Sequence, residues 1–189
     1  MLVLGLDIST SVTGYAIMDT RAPLGHRLVK ADSIILSRFK DTYTKAQMVR
    51  DTFRELSSQY DIDVLSVEEN LQAFRRGLSS AKTLSTLARF NGIVCYLAQD
   101  IFGKEVNLHN VISARNSIGL KIDRKRKKEF PIKEQVLSWV KSHSDFKKFD
   151  WPMKTLASGP RKGQIIYDKQ CYDIADAAVI CMTQILLEQ

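Results

Sequence analysis

The chain has 189 residues, 44% hydrophobic and 26% charged, with a formal net charge of +7. That length suits one domain able to bury roughly 70% of its unfolded surface, and is short for two full-sized domains. The composition excludes a disordered or collagen-like chain, and the three cysteines, Cys95, Cys171 and Cys181, lack the short spacings of a zinc site or a disulfide framework.

Residues 2–8 are an apolar run that reads as a buried strand, with Asp7 at its end and a small-residue turn, Ile8-Ser9-Thr10-Ser11, after it. Val12 to Met18 alternates and makes a second strand, so 2–18 is a hairpin. Leu28 to Leu36 is a third strand. Lys45 to Tyr60 is a helix, because Met48, Val49, Phe53, Leu56 and Tyr60 recur at three- and four-residue steps. Asp63 to Val67 is a short buried strand that runs into Glu68-Glu69-Asn70. Ser79 to Gln99 is a long helix. Its small residues Ala81, Ser85, Ala88 and Gly92 offer either a dimer surface or a packing face on its own sheet. Val106 to Val111 is the fifth strand. Pro131 suits the first turn of a helix running to about Val140. Residues 144–169 hold Pro152, Gly159, Pro160 and Gly163 and read as a long loop or small hairpin. The last helix runs from about Lys169 to Leu187 and contains Cys181, which, like Cys95, reads as a packing residue.

Three early strands followed by alternating helices and strands predict a single α/β domain over 1–189: a five-stranded mixed sheet with helices on both faces. No apolar stretch reads as a membrane span, and Met1 leads straight into a strand without a signal-peptide core. The expectation is therefore a cytoplasmic protein with no membrane partner.

The charge is concentrated. From Lys121 to Lys133 there are seven Lys/Arg against Asp123 and Glu129. Alone, such a run reads as a solvated loop; beside the acids it reads as a polyanion-binding segment. Four carboxylates stand out: Asp7 and Glu68 at strand ends, and Asp173 and Asp176 three apart on one face at the start of the last helix. Singly, each is an ordinary turn, cap or solvated acid. Together, acids at the ends of three apolar elements would repel one another without cations. Carboxylate oxygens suit hard divalent ions such as Mg²⁺, and two such ions about 4 Å apart catalyse phosphodiester hydrolysis.

The opening LGLDISTSVTGYAI resembles the start of RuvC-type Holliday junction resolvases, where Asp ends the first strand and V-T-G-Y follows. VEEN at 67–70 resembles the second acidic strand end, DIADAAVI at 173–180 the D-x-x-D-A helix start, and Lys133-Glu134-Gln135-Val136 the K-x-Q-V helix start. The departures are Ile8-Ser9-Thr10 in place of Pro-Gly-Ser, a basic insertion at about 120–130 and a loop or hairpin insertion at about 144–169. They mark a divergent relative, of phage or other viral kind. The resemblance implies an RNase H-like fold and a homodimer that nicks two strands of a four-way or branched DNA junction in the bacterial or phage-infected host cytoplasm. It implies that Asp7, Glu68, Asp173 and Asp176 bind two Mg²⁺, with Mn²⁺ able to substitute, and that Lys133 stabilises charge on the phosphoryl oxygens. Arg115, Lys121, Arg124, Lys125, Arg126, Lys127 and Lys128 would grip backbone phosphates. Phe74, with Arg75 and Arg76 beside it, falls where the family inserts residues into the junction; an ordinary packing role for Phe74 stands equally open.

Other readings share parts of this pattern. Another RNase H-fold nuclease acting on RNA, hybrid or branched DNA would carry the same acids. A non-catalytic nucleic-acid-binding module would hold DNA without cutting it. A sugar-kinase or actin-like ATPase would need a longer chain and a second phosphate hairpin. A tRNA-modification scaffold would need neither Glu68, Asp173 and Asp176 together nor the basic run.

Overall fold

Alternation along the first strand decides the layering. In the computed structural model, which describes residues 1–69 and 81–188, β1 (Leu2–Asp7) sends Leu4 and Leu6 into one apolar core and Val3 into another. Successive strand side chains point to opposite faces, so the two cores lie on opposite sides of the sheet. β1 pairs antiparallel with β2 (Val12–Asp19), and β2 antiparallel with β3 (Leu28–Ile35). On its other side β1 pairs parallel with β4 (Val64–Glu68), and β4 parallel with β5 (Val106–His109). The order β3-β2-β1-β4-β5 is a five-stranded mixed sheet, as the sequence predicts.

Two helices cover the Leu4 and Leu6 face. α1 (Thr42–Gln59) starts where the Asp41 carboxylate accepts the Tyr43 and Thr44 N–H groups, satisfying donors the first turn leaves free. It buries Val49, Phe53 and Leu56, while α2 (Ala81–Phe102) buries Phe90, Val94 and Ala98. On α2, Ala81, Ser85, Ala88 and Gly92 all face solvent, and a Cβ on Gly92 would touch nothing within 4 Å.

The opposite face is covered by α5 (Gln170–Leu187), against which α3 (Val111–Ser117) and α4 (Ile132–Ser142) pack. From Ile174 to Ile185 every residue of α5 except Asp176 is buried. The sequence reading found no span-length apolar stretch, yet by length and composition α5 qualifies, with a mean hydropathy of 1.2 over 18 residues. Its position explains this: a helix apolar all round is what a core sandwiched between a sheet and other helices demands.

Two further boundaries differ from expectation. The fifth strand stops at His109, because the Asn110 side chain accepts the Ile112 and Ser113 N–H groups and starts α3. The 144–169 segment holds a 3₁₀ turn (Ser144–Phe146) and an antiparallel hairpin of β6 (Met153–Thr155) and β7 (Ile165–Tyr167).

Candidate active site

Two glycines let α5 lie directly on the sheet. A Cβ on Gly14 would stand 2.1 Å from the Asp173 carbonyl oxygen, and one on Gly5 2.6 Å from that of Ala177. Any side chain there would force the helix away, so the Gly of V-T-G-Y has a physical role in seating the start of α5. The seat is pinned further along by hydrogen bonds. The Ser66 hydroxyl donates to the Ile180 carbonyl at 3.2 Å, and the Cys181 thiol to the Val3 carbonyl at 3.3 Å.

The alternation that puts Gly5 and Ser66 against α5 puts Asp7 and Glu68 on the same face. The parallel register Leu6↔Val67 sets these two acids on neighbouring strands at one level. Asp173 and Asp176, one turn apart, start the helix that crosses them. The four carboxylates therefore share one electrostatic neighbourhood. Burial first, then the charges of Asp176, Glu68 and Asp173, hold the Asp7 carboxyl well above the ordinary range, with Lys133 opposing. Burial, then Asp176, pushes Glu68 up to about 7, against the pull of Arg115. Burial raises Asp173 to about 6, with Lys133 lowering and Asp176 raising it. Asp176 is raised by burial, and Arg115 and Lys133 counter it. Glu69, beside Glu68, donates its backbone N–H to the His109 carbonyl at 2.8 Å.

Among the described residues, two cations reach the cluster. Lys133, exposed in the first turn of α4, lies near enough to oppose the shifts of Asp7, Asp173 and Asp176. Arg115 is closer. Its Nη2 donates to Asp176 Oδ1 at 2.8 Å, and the two side chains are only 18% and 15% exposed. Arg115 Nε is buried without a hydrogen-bond partner among the described residues. α3, which carries it, is tied to α5 by the Thr183 hydroxyl donating to the Ala114 carbonyl at 3.1 Å. The sequence reading grouped Arg115 with the phosphate-gripping bases; the structure sets it against an acid of the cluster.

Among the described residues, no three Asp, Glu, His or Cys side chains are gathered closely enough to hold a metal ion as they stand. Asp176 is held by its ion pair with Arg115. The donor set itself fits a hard divalent cation: four carboxylates from three elements, all opposed in ionising by burial, and Asp7, Glu68 and Asp173 also by neighbouring acids.

The turn beside Asp7 is built without Pro-Gly. The Ser9 hydroxyl accepts the Ser11 and Val12 N–H groups and donates to the Val12 carbonyl at 2.7 Å. The Thr13 hydroxyl donates to the Ser9 carbonyl at 3.2 Å, and Lys45 Nζ to the Thr10 carbonyl at 2.6 Å. The Ser9 side chain thus holds the turn beside Asp7 locally.

The basic segment is an ordered loop with its charges outside. Lys121, Arg124, Lys125, Arg126, Lys127 and Lys128 are all exposed. Buried Gln135 closes the loop: its amide donates to the Asp123 and Phe130 carbonyls at 2.9 and 2.8 Å, and its oxygen accepts the Asp123 N–H at 2.8 Å. The loop is therefore fixed two residues from Lys133. Asn70, Phe74, Arg75 and Arg76 lie outside the described residues. Sequence reasoning missed Gln135 and the Arg115–Asp176 pair. Asn110 before Val-Ile-Ser was the available sign that a helix, and not more strand, carries Arg115.

No family model matches the sequence, and no curated protein does. Solved structures do. Thermus thermophilus RuvC in complex with a Holliday junction substrate superposes with a TM-score of 0.65 at 16% identity, covering 100% of this chain and 94% of that one. The fold is that of RuvC. A second Thermus thermophilus RuvC structure gives a TM-score of 0.62 at 15% identity, over 100% of this chain and 95% of that one. A fowlpox virus resolvase bound to Holliday junction DNA is more distant, with a TM-score of 0.48 at 18% identity over 98% and 97%, and carries no weight here. At these identities the likeness to RuvC is one of fold, and at that level the RNase H-like expectation stands.

Proposed function

We propose that this protein is a divalent-metal-dependent DNA endonuclease that resolves four-way junctions by symmetric nicking, as a homodimer in the cytoplasm of a bacterium or a phage-infected cell. One observation carries the reading: acids from β1, β4 and α5 converge on the edge of the core, beside an exposed basic loop held in place by Gln135. The RuvC fold supports it, since one of the matching structures is a RuvC in complex with a Holliday junction substrate.

Asp7, Glu68, Asp173 and Asp176 would hold two Mg²⁺, or Mn²⁺ in their place. Bound there, the ions supply the Lewis acidity that phosphodiester hydrolysis needs. Everything else is done by this chain's own side chains. Asp176 would take that role only with Arg115 moved off its carboxylate, which would leave the guanidinium free for a phosphate. Lys133, exposed at the rim, meets the charge that develops on the phosphoryl oxygens. Lys121 and Arg124 to Lys128 position the backbone, and Phe74, with Arg75 and Arg76, enters the junction. The solvent-facing small residues of α2 allow a second copy to approach closely.

The test is cleavage of a labelled four-way junction in Mg²⁺, with a mass measurement for the dimer. Asp7→Asn and Asp176→Asn should each slow cleavage about 10²–10³-fold, the equivalent of several kcal/mol of lost charge stabilisation. Unimpaired cleavage by either would sink the metal assignment. The Arg115–Asp176 ion pair favours a second reading, a binding module in which the acid is permanently neutralised. That protein would bind the junction and leave it intact in Mg²⁺.

A further inference from the structure

The 144–169 insertion has no part in the chemistry above, yet it ends against the active-site helices. Its hairpin and the helices it touches enclose a groove of about 420 Å³, within the usual size of ligand sites. Three rings line it: Phe130 from the end of the basic loop, Tyr167 from β7 and Tyr172 from α5. Lys141 and Arg161 add positive charge, and Glu134 is the acid on the wall. The Lys141 ammonium lies 3.8 Å from the Tyr167 ring centre, which orients a ring that stays 40% exposed.

Its position matters as much as its lining. Tyr172 and Glu134 sit on the helices that carry Asp173 and Lys133, each next to it in the chain, so the groove shares both helices with the acid cluster. The surrounding chain is basic, with seven Lys/Arg between 141 and 169 against Asp145, Asp150 and Asp168.

We propose that this groove holds an unpaired nucleotide of the strand whose phosphate enters the acid cluster. The base stacks among Phe130, Tyr167 and Tyr172, and the adjoining backbone lies on Arg161. Aromatic faces interleaved with cations are how proteins hold single-stranded nucleic acid, because every base has a π-face to stack. A duplex keeps its bases inside and offers these rings nothing. An acidic peptide would meet the cations and leave the three rings without stacking partners. The proposal rests on the nucleic-acid reading of the site and adds a requirement: the DNA is locally unpaired beside the scissile phosphate.

The experiment uses the full chain in an Asp7→Asn background without added divalent metal, so that the junction stays whole over the measurement. A four-way junction carries 2-aminopurine at the nucleotide next to the cleaved phosphate. Binding should quench its fluorescence. Tyr167→Ala should abolish the quench and weaken binding about tenfold, the loss expected for one stacked base, while Tyr167→Phe keeps both. Arg161→Ala should weaken binding and keep the quench. Lys104→Ala, exposed before the N-terminal end of β5, should change neither. Normal junction binding with an unchanged quench in Tyr167→Ala overturns the groove and leaves the junction reading standing. A junction that binds to no variant overturns both. Loss of self-association in Tyr167→Ala, followed by sedimentation in the same samples with DNA binding intact, would make the groove a contact between copies and overturn it too.

Discussion

The acid cluster and the basic loop meet at Lys133, yet they are built by opposite means. The acids come from three elements brought together by the core itself, with Gly5 and Gly14 allowing the approach. Their charges are raised in energy by burial and by one another. The bases lie on one loop, fully in water, and a single buried side chain, Gln135, holds the loop shut. A solvated charge costs the fold almost nothing and offers little selectivity. Buried carboxylates that raise one another's pKa cost stability while they are ionised. One region is thus a set of buried acids whose charges oppose one another, and the other a row of solvated cations.

The largest expected effect attacks the seat of α5. Gly14→Ala places a methyl against the Asp173 backbone and should cost about 3 kcal/mol, lowering the melting temperature by roughly 6–12 °C. A melting curve that hardly moves would mean the helix can slide, and that the cluster is not built by close packing. Next is Lys133, the residue common to both regions. Lys133→Ala should slow junction cleavage about 10–100-fold with little change in affinity; lower affinity at an unchanged rate would move it from the cluster to the loop's side of the comparison.

Acidity separates the two regions further. The folded-state values of Asp173, about 6, and Glu68, about 7, lie above the ordinary 3.8 and 4.5. Each therefore favours the folded state fully below its unfolded value and loses that contribution as pH rises through its folded one. Without metal, the melting temperature should fall between about pH 4 and pH 7. Asp173→Asn should flatten that fall, and the gain on adding Mg²⁺ should grow over the same window. A metal-free melting temperature just as steep in Asp173→Asn would remove the strain from the cluster. The smallest effect belongs to the loop. Replacing Arg126, Lys127 and Lys128 should reduce the salt slope of junction binding by about 0.9 for each phosphate no longer neutralised, with no change in melting temperature. Gln135→Leu should expose the same loop to faster tryptic cutting.

The layering was legible because β1, β2 and β4 alternate or run apolar, and because α1 repeats at helical steps. Asp7, Glu68 and the Asp173–Asp176 pair stood out because each breaks an apolar element at its end. The rest depended on partners distant in sequence. Arg115 and Asp176 are 61 residues apart, and nothing local to α3, a seven-residue helix, shows that its arginine turns inward. The β-branched Val111 and Ile112 extend a strand pattern until the Asn110 cap overrides it. Gln135 reads as an ordinary polar helix residue, because the carbonyls it binds belong to a loop without periodicity.

α5 leaves no room for a site that opens by itself. The residues between and just after Asp173 and Asp176 on α5, Ile174, Ala175 and Ala177, are all fully covered by the sheet and its neighbours. Amide protons from Ala177 to Cys181 should exchange with solvent only when the whole protein unfolds, among the slowest in the molecule. An ion captured at the start of this helix would then be felt as slower exchange down its full length and in the middle of β1, so that ligand capture and global stability are read by the same amides.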